Sequence, residues 1–405
     1  MTKTVFKLLI GLLIIALVIG GIWFSQLFDN KPNELPKIYL YRWRSIPFYK
    51  KATTFMSYVS NDPQIDHIYF QKIRAKARGG GSADFPKHNF TIELKNKHQL
   101  AGLKNEDNWI LGASFIEKSF IRHKLSFDLY RLFNAAHKAP ECEFIEIYRN
   151  FKYHGLYVIM ERMDGNRLEI NKKDSTACIF KEPPIFIDPK VQVNSNPEKE
   201  NDFYHQKFPD LTKRNKSPKM QWLREFIAYA LDSIFDNEIL SHFNLDDIID
   251  WHILLLLTHN SDGVIKGFYL YKKDDKTPFK LAVWDYDNSF GRDTDNEPHL
   301  PGIINWERNI LLNRLVNSNT LRYKIRLKQR FFELVEAGIL TTENLTYMID
   351  KDYVILKDFA KKNEELWPID AEPFYDDADF EDEVQLMKKW IPLQLKEVSE
   401  YISRF

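Results

Sequence analysis

Residues 281–291 read LAVWDYDNSFG, an apolar run of β-forming residues that stops at two carboxylates. Asp285 and Asp287 alternate with Tyr286, so a continuing strand would carry both on one face. A lone aspartate here would fit a turn equally well, but two at the end of a rigid strand can bind a hard divalent cation. The stretch therefore predicts a buried strand that ends at a metal site.

The composition is that of a globular chain without a strong electrostatic field. Its 405 residues are 44% hydrophobic, which is enough for one large or two moderate cores. Because 57 basic residues balance 57 acidic residues, we expect no nucleic-acid partner. Cys142 and Cys178 do not make a disulfide framework, although a single bridge between them stays open, and their spacing does not suggest a metal site.

The N-terminus predicts a membrane anchor. Residues 8–24 read LLIGLLIIALVIGGIWF, carry no charge and follow Lys3 and Lys7. We predict a single-pass protein with a cytoplasmic tail (1–7), a transmembrane helix (8–24) and a linker (25–36). The body would then lie outside the cytoplasm, in a bacterial periplasm or at a cell surface. A cleaved signal peptide is the alternative.

The remainder divides into a β-rich first part and a helical second part, an α+β layout. Strand patterns begin at residue 38, and the triple glycine at 79–81 permits a tight turn or a close approach of the backbone to a ligand. A helical pattern covers 117–133, and a hairpin turns near Asn150. Residues 183–219 predict a long loop or insertion.

Helical patterns dominate from residue 219 onward. QWLREFIAYALDSIF predicts one helix, and residues 245–259 predict a second, buried helix with Asn244 as its N-cap. A single β-hairpin and three further helices follow. Asp262 lies in the loop between the buried helix and this hairpin, so the order of elements can bring its carboxylate near Asp285 and Asp287.

Several colinear segments resemble the spore-coat CotH kinase family. The segment NSDGVIKGFYLYKKDDKTPFKLAVWDYDNSFG is similar to that family's N-x-D loop, N-[YF]-x-L-Y strand and W-D-x-D-x-[TS]-[FW]-G ending. RGGGSADFPKHNFTIEL, LKNEDNWILGASFIEKSFIRHKLSFDLY and YHGLYVIMERMDGNRL resemble its other blocks, so the resemblance covers roughly residues 70–400. It implies an atypical protein-kinase-like fold of two lobes, with a β-rich nucleotide-binding lobe at 37–165 and a helical lobe at 166–405.

The resemblance also implies roles for individual residues in binding ATP and a metal ion. Lys87 stands at the position of the nucleotide-phosphate lysine, and Asp262 at that of the catalytic-loop aspartate, which orients or deprotonates a substrate hydroxyl. Asp285 stands at the position of the metal-binding aspartate, with Asp287 as an alternative or second ligand for Mg²⁺ or Mn²⁺.

Four further residues are candidates for contacts to the nucleotide. Arg78, Gly79 and Ser82 flank or form the glycine turn that would lie over the phosphates, and Glu161 ends the strand that would lead to the adenine. The resemblance implies transfer of phosphate to Ser or Thr hydroxyls of a protein or envelope acceptor. The sequence does not indicate an oligomeric state.

One departure from the family pattern leaves other functions open. Gly267 stands where the family places a metal-binding asparagine, and glycine has no side chain to act as a ligand. A catalytically impaired pseudokinase that serves as an envelope binding or scaffold protein is therefore an alternative. A second alternative is a glycosyltransferase that uses Asp285 and Asp287 as an Asp-x-Asp metal site.

Overall fold

The computed structural model describes residues 34–191, 204–209, 220–293, 297–369 and 377–405. Seven of its strands form one closed barrel in the order β1-β2-β3-β4-β5-β7-β6. The barrel strands are β1 (Lys37–Tyr41), β2 (Ala52–Val59), β3 (Ile68–Arg78), β4 (Asn89–His98), β5 (Glu106–Gly112), β6 (Cys142–Arg149) and β7 (Lys152–Glu161). Neighbouring strands are antiparallel except where β6 pairs in parallel with β1, and that pairing closes the barrel.

A four-stranded sheet and a group of helices follow the barrel. The sheet has the order β11-β10-β8-β9 and consists of β8 (Cys178–Lys181), β9 (Gln206–Phe208), β10 (Phe268–Lys272) and β11 (Lys280–Val283). The helices are α1 (Arg122–Phe133), α2 (Met220–Tyr229), α3 (Asp232–His242), α4 (Leu245–Thr258), α5 (Ile310–Asn317), α6 (Tyr323–Glu336), α7 (Thr342–Leu366) and α8 (Phe380–Ser403).

Strand β7 shows how the barrel joins the rest of the molecule. Tyr157 and Ile159 point into the apolar interior of the barrel. Leu156, Val158 and Met160 alternate with them and belong to the large buried cluster that also contains the helices and the second sheet. Because a strand presents alternate residues to opposite faces, β7 is buried on both sides and forms part of a core shared by the barrel and the helices.

Local signals in the sequence have mixed outcomes. The hairpin turn is confirmed, since Asn150 and Phe151 adopt positive φ between β6 and β7. Asn244 is confirmed as the N-cap of α4, because its side chain accepts a hydrogen bond from the Asp247 amide. The single helix predicted for QWLREFIAYALDSIF is wrong, because Leu231 is extended and separates α2 from α3.

The predicted fold class, a two-lobed protein-kinase-like structure with a transmembrane helix, is contradicted. The β-rich region is a closed barrel instead of an open lobe, since β1 pairs with β6 as well as with β2. The barrel and the helices also share one buried cluster, which runs through β7. The pairing of residues 37–40 with 146–149 is too distant along the chain for local sequence patterns to indicate.

The predicted transmembrane helix and single-pass localisation are also corrected. Among the residues that the structure describes, no helix combines the length and the apolar character needed to cross a membrane. Residues 8–24, to which the sequence analysis assigns the anchor, lie outside the described residues. The two cysteines are buried and free, so the bridge left open by the sequence is not formed.

Candidate active site

A cavity of about 780 Å³ lies where the ends of several strands meet the start of α1. Its walls come from the ends of β3, β5, β8 and β11 and from the loops that follow them. Six of the eight site residues expected from the sequence line it, whereas Asp262 and Glu161 do not. The six are Arg78, Gly79, Ser82, Lys87, Asp285 and Asp287.

A turn after β11 sets the direction of the two carboxylates. The strand ends at Val283, so Asp285 and Asp287 lie beyond it and not on one face of a continuing strand. Asp285 instead adopts a left-handed backbone with φ of 62°, and its carbonyl accepts a 3.0 Å hydrogen bond from Nδ2 of the buried Asn260. A non-glycine residue in this conformation costs about 1 kcal/mol or more, and such strain is common at functional sites.

Asp285 and Asp287 share this corner of the cavity with His123, from the first turn of α1. One ligand atom from each of the three residues lies within 4.8 Å of the others. Burial would raise the pKa of Asp285, but attraction to His123, Lys181 and Arg78 outweighs it and lowers that pKa. Burial and repulsion by Asp285 raise the pKa of Asp287. Ionisation of Asp287 is therefore opposed by burial and by the neighbouring carboxylate of Asp285.

Two cations stack on the Trp284 ring, which directly precedes Asp285. The guanidinium carbon of Arg78 and the ammonium nitrogen of Lys181 are each 5.5 Å from the ring centroid. Both side chains line the cavity, and Trp284 itself is 5% exposed. Cations stacked on an indole keep a defined position without giving up their charge. The pair can therefore bind an anionic group that lies next to a metal ion at Asp285.

The glycine turn after β3 gives the cavity a wall of backbone. Gly79 has φ of +156°, and a Cβ there would lie 2.7 Å from the Ala83 nitrogen and 2.8 Å from the Ser82 hydroxyl. Only glycine fits, as the sequence suggested for this turn. Ser82 accepts a 3.1 Å hydrogen bond from Asn89 on β4, which ties the turn to the barrel.

Lys87 lies at the inner wall and is almost fully buried, with 1% exposed. Its ammonium group donates hydrogen bonds to the carbonyls of Ala113 (2.6 Å) and Leu156 (2.5 Å). The rings of Phe120 and Tyr157 lie 4.9 and 4.6 Å from the same nitrogen. Burial lowers the pKa of Lys87 well below its usual range. In this arrangement its donors are directed at protein carbonyls, whereas Arg78 and Lys181 stack on Trp284, and Lys181 also lies 3.3 Å from a carboxylate oxygen of Glu182.

Asp262 lies in a short helical turn beyond α4, and its carboxylate forms a 2.7 Å ion pair with Lys266. Its loop nevertheless touches the Asp285 turn. The Trp284 amide donates a 2.9 Å hydrogen bond to the Gly267 carbonyl, and a Cβ on Gly267, whose φ is +72°, would lie 2.9 Å from the Trp284 oxygen. In this structure position 267 therefore has no room for a metal-binding side chain.

Glu161 ends β7 outside the cavity lining. Its Oε2 accepts a hydrogen bond from the Glu141 amide at 3.1 Å and lies 2.9 Å from Nε of Arg167. The side chain is 3% exposed, and burial raises its pKa despite the attraction of Arg167. In this structure Glu161 fastens the end of the strand to the segment that follows it.

Sequence reasoning missed His123 and Lys181. A weak signal existed for Lys181, since the apolar run ACIF ends at this charged residue just as LAV ends near Asp285. His123 lies within the predicted amphipathic helix 117–133, where periodicity indicates a core face and gives no reason to single out a ligand. Only the packing of α1 against the segment that follows β11, for example Phe127 against Tyr286, brings its ring to the carboxylates.

The donor set fits a divalent cation, and the cavity fits a nucleotide. Two carboxylates and an imidazole are ordinary ligands of divalent metals in proteins. Ionisation of the second carboxyl is opposed by the first, and a bound cation would relieve that repulsion. The volume of 780 Å³ is within the range of roughly 300–1,000 Å³ that is typical of small-molecule sites.

The family model and the curated relative indicate the same family. The family described as CotH kinase protein matches residues 75–398. Inner spore coat protein H of Bacillus subtilis (strain 168) is 25% identical over 319 residues, which cover 73% of this chain and 81% of that protein. The crystal structure of the proinflammatory kinase CtkA of Helicobacter pylori matches 78% of this chain and 94% of its own, with 7% identity and a TM-score of 0.35, too low to carry an argument.

The family match spans most of the chain and includes the glycine turn, the helix that carries His123 and the Asp285 turn. The chain therefore belongs to the CotH kinase family, and it is a kinase-like protein in that sense.

Proposed function

We propose that this protein is a phosphotransferase that moves the γ-phosphate of a nucleoside triphosphate such as ATP to Ser or Thr hydroxyls of a protein acceptor. The observation that carries the proposal is the convergence, in one cavity, of a carboxylate pair, two indole-stacked cations and a glycine turn. Carboxylates can hold a divalent ion, and cations with backbone groups can hold phosphates, so the cavity offers both halves of a metal–nucleotide site.

The chain's own residues have separable roles in this proposal. Arg78 and Lys181 bind phosphate oxygens and fix the triphosphate beside the carboxylates. The Gly79 turn lets the backbone approach the phosphates closely. Asp285 and Asp287 would hold Mg²⁺ or Mn²⁺, which when bound neutralises phosphate charge.

Asp262 is the candidate for the acceptor side of the reaction. It would accept the proton of the attacking hydroxyl as the new oxygen–phosphorus bond forms and the bond to the nucleoside diphosphate breaks. The loop that carries Asp262 is hydrogen-bonded to the Asp285 turn through Asn260 and Gly267. A movement of this loop that brings the Asp262 carboxylate to the cavity would therefore also move the turn that carries Asp285.

A transfer assay tests this proposal. Labelled γ-phosphate should appear on Ser or Thr residues of the protein or of a mixed hydroxyl-peptide library when a nucleoside triphosphate and Mg²⁺ or Mn²⁺ are supplied. Asp285→Asn should lower labelling at least about 100-fold, a loss typical of removing a charged group that stabilises the transition state. Asp246→Asn is the control, because Asp246 is 77% exposed and pairs with Arg326 outside the cavity lining. Equal labelling by wild type and Asp285→Asn would contradict the proposal.

A binding protein without transferase activity is the second candidate. It is favoured by the ion pair of Asp262 with Lys266 and by the placement of the Lys87 ammonium between two carbonyls. This candidate would be supported if nucleotide binding depends on Asp285 but no labelled phosphate is transferred, whichever divalent metal ion is supplied.

A further inference from the structure

His123 stands where a third metal ligand would be expected. It belongs to the first turn of α1, its side chain is 14% exposed, and its ring packs edge-on against Phe127 at 5.5 Å. Its Nε2 lies 3.8 Å from Oδ1 of Asp285. That separation is too long for a hydrogen bond, so the two groups face each other with a gap between them.

The spacing of the three residues suits ligands of one ion. For a metal–ligand distance of about 2.1 Å, adjacent ligands in an octahedron are roughly 3.0 Å apart and opposite ligands roughly 4.2 Å apart. The separation of 3.8 Å between His123 and Asp285 falls in that interval. The outer limit of 4.8 Å for the whole set exceeds it only slightly, so small rotations about side-chain bonds would bring all three donors to one centre.

A second observation at the same cavity points to a ligand. Glu117 lines the cavity and is 2% exposed, and its Oε1 accepts a 2.8 Å hydrogen bond from Arg122. Its Oε2 is buried without a hydrogen-bond partner among the described residues. A buried carboxylate oxygen seldom lacks a donor. Water molecules bound to a metal ion at the His123 corner would supply one.

We infer that His123 is the third protein ligand of this metal site and that the site therefore takes a borderline transition-metal ion such as Mn²⁺ in preference to Mg²⁺. An imidazole nitrogen is a favourable ligand for transition metals, whereas Mg²⁺ is held mainly by oxygen. His123 also provides a ligand side chain that Gly267 does not have. Position 267 cannot provide one, because a side chain there would collide with the Trp284 carbonyl. The inference rests on the proposed metal–nucleotide site and specifies its metal.

Mn²⁺ binding to the purified protein, measured without nucleotide, tests the inference. Titration followed by electron paramagnetic resonance gives the dissociation constant, and pulsed measurements on the bound ion detect a directly coordinated nitrogen. We expect a nitrogen coupling in the wild type that is lost in His123→Gln. The Mn²⁺ affinity of this variant should fall by at least the roughly 10- to 100-fold seen when only the support of a metal ligand is disturbed, while its Mg²⁺ affinity changes much less.

The other close pair of imidazoles provides a control. His259 and His299 approach each other to 3.1 Å between their Nε2 atoms, so His299→Gln should leave the nitrogen coupling intact. Mn²⁺ binding that is lost in Asp285→Asn but shows no nitrogen coupling, and no change in His123→Gln, would overturn the role of His123 while the carboxylate site stands. A nitrogen coupling abolished by His299→Gln would also overturn it. Absence of Mn²⁺ binding to the wild type would remove the proposed metal site as well.

Discussion

Replacement of Gly267 by alanine tests how the Asp262 loop supports the Asp285 turn. The backbone of Gly267 has φ of +72°, and a Cβ there would lie 2.9 Å from the Trp284 oxygen and 3.4 Å from Gly263 Cα. The loop cannot retreat freely, because the Gly267 carbonyl accepts the Trp284 amide at 2.9 Å. Relief of the contact must therefore displace the segment that carries Asp285.

Two separable costs determine the magnitude. A left-handed alanine costs about 1–2 kcal/mol relative to glycine, and forcing extra volume into a tight contact costs about 1–3 kcal/mol more. Gly267→Ala should therefore lower the free energy of unfolding by about 2–5 kcal/mol. Gly338→Ala is a matched control, since Gly338 has φ of +73° but no atom within 4 Å of an added Cβ. Gly338→Ala should lower the free energy of unfolding only by the cost of a left-handed alanine, about 1–2 kcal/mol.

Urea unfolding followed by tryptophan fluorescence measures both variants. Equal destabilisation by Gly267→Ala and Gly338→Ala would refute the steric argument. Gly267→Asn places its Cβ in the same contact with the Trp284 oxygen and should bind Mn²⁺ more weakly than the wild type. Tighter Mn²⁺ binding by Gly267→Asn would show that position 267 accepts a ligand after all.

Three further variants test other parts of the structure. Arg122→Met leaves the buried Glu117 and Glu383 without the guanidinium between them, so urea unfolding should show a loss of about 3–5 kcal/mol; an unchanged midpoint would contradict this. Burial raises the pKa of Asp352 to about 7, although the attraction of Lys124 opposes the shift. The contribution of Asp352 to the free energy of unfolding is therefore complete below the unfolded pKa near 3.8 and is lost as the pH rises through about 7. Asp352→Asn should therefore gain stability relative to wild type between pH 4 and pH 8, and a constant difference would argue against the shift. Lys181→Gln should weaken metal-free nucleotide binding about tenfold in calorimetry, from loss of one charge-assisted contact, whereas Lys97→Gln, outside the cavity lining, should not.

The sequence indicated the chemistry of the site better than its geometry. The carboxylate pair after an apolar strand and the glycine turn are local patterns, and the structure places both at the cavity. The left-handed turn at Asp285 was not predictable, because aspartate adopts this conformation more often than most residues but still only rarely. His123 joins the site only through the tertiary packing that brings its ring to Asp285 and Asp287.

The fold shows the same division between local and distant information. Caps and hairpin turns depend on neighbouring residues, and Asn244 and Asn150 were recognisable for that reason. Closure of the barrel depends on the parallel pairing of β1 with β6, and the burial of Lys87 depends on carbonyls from β7 and from the end of β5. Such contacts between distant segments leave no periodic trace in the sequence.

The dependence of nucleotide affinity on metal tests the central claim most directly, namely that one cavity holds a nucleotide and a metal ion together. Calorimetry should show that Mn²⁺ tightens binding of a non-hydrolysable nucleoside triphosphate by at least about tenfold, or about 1.4 kcal/mol. Asp285→Asn should keep the metal-free affinity and lose this enhancement. The same enhancement in wild type and Asp285→Asn, or no nucleotide binding to the wild type, would contradict the account.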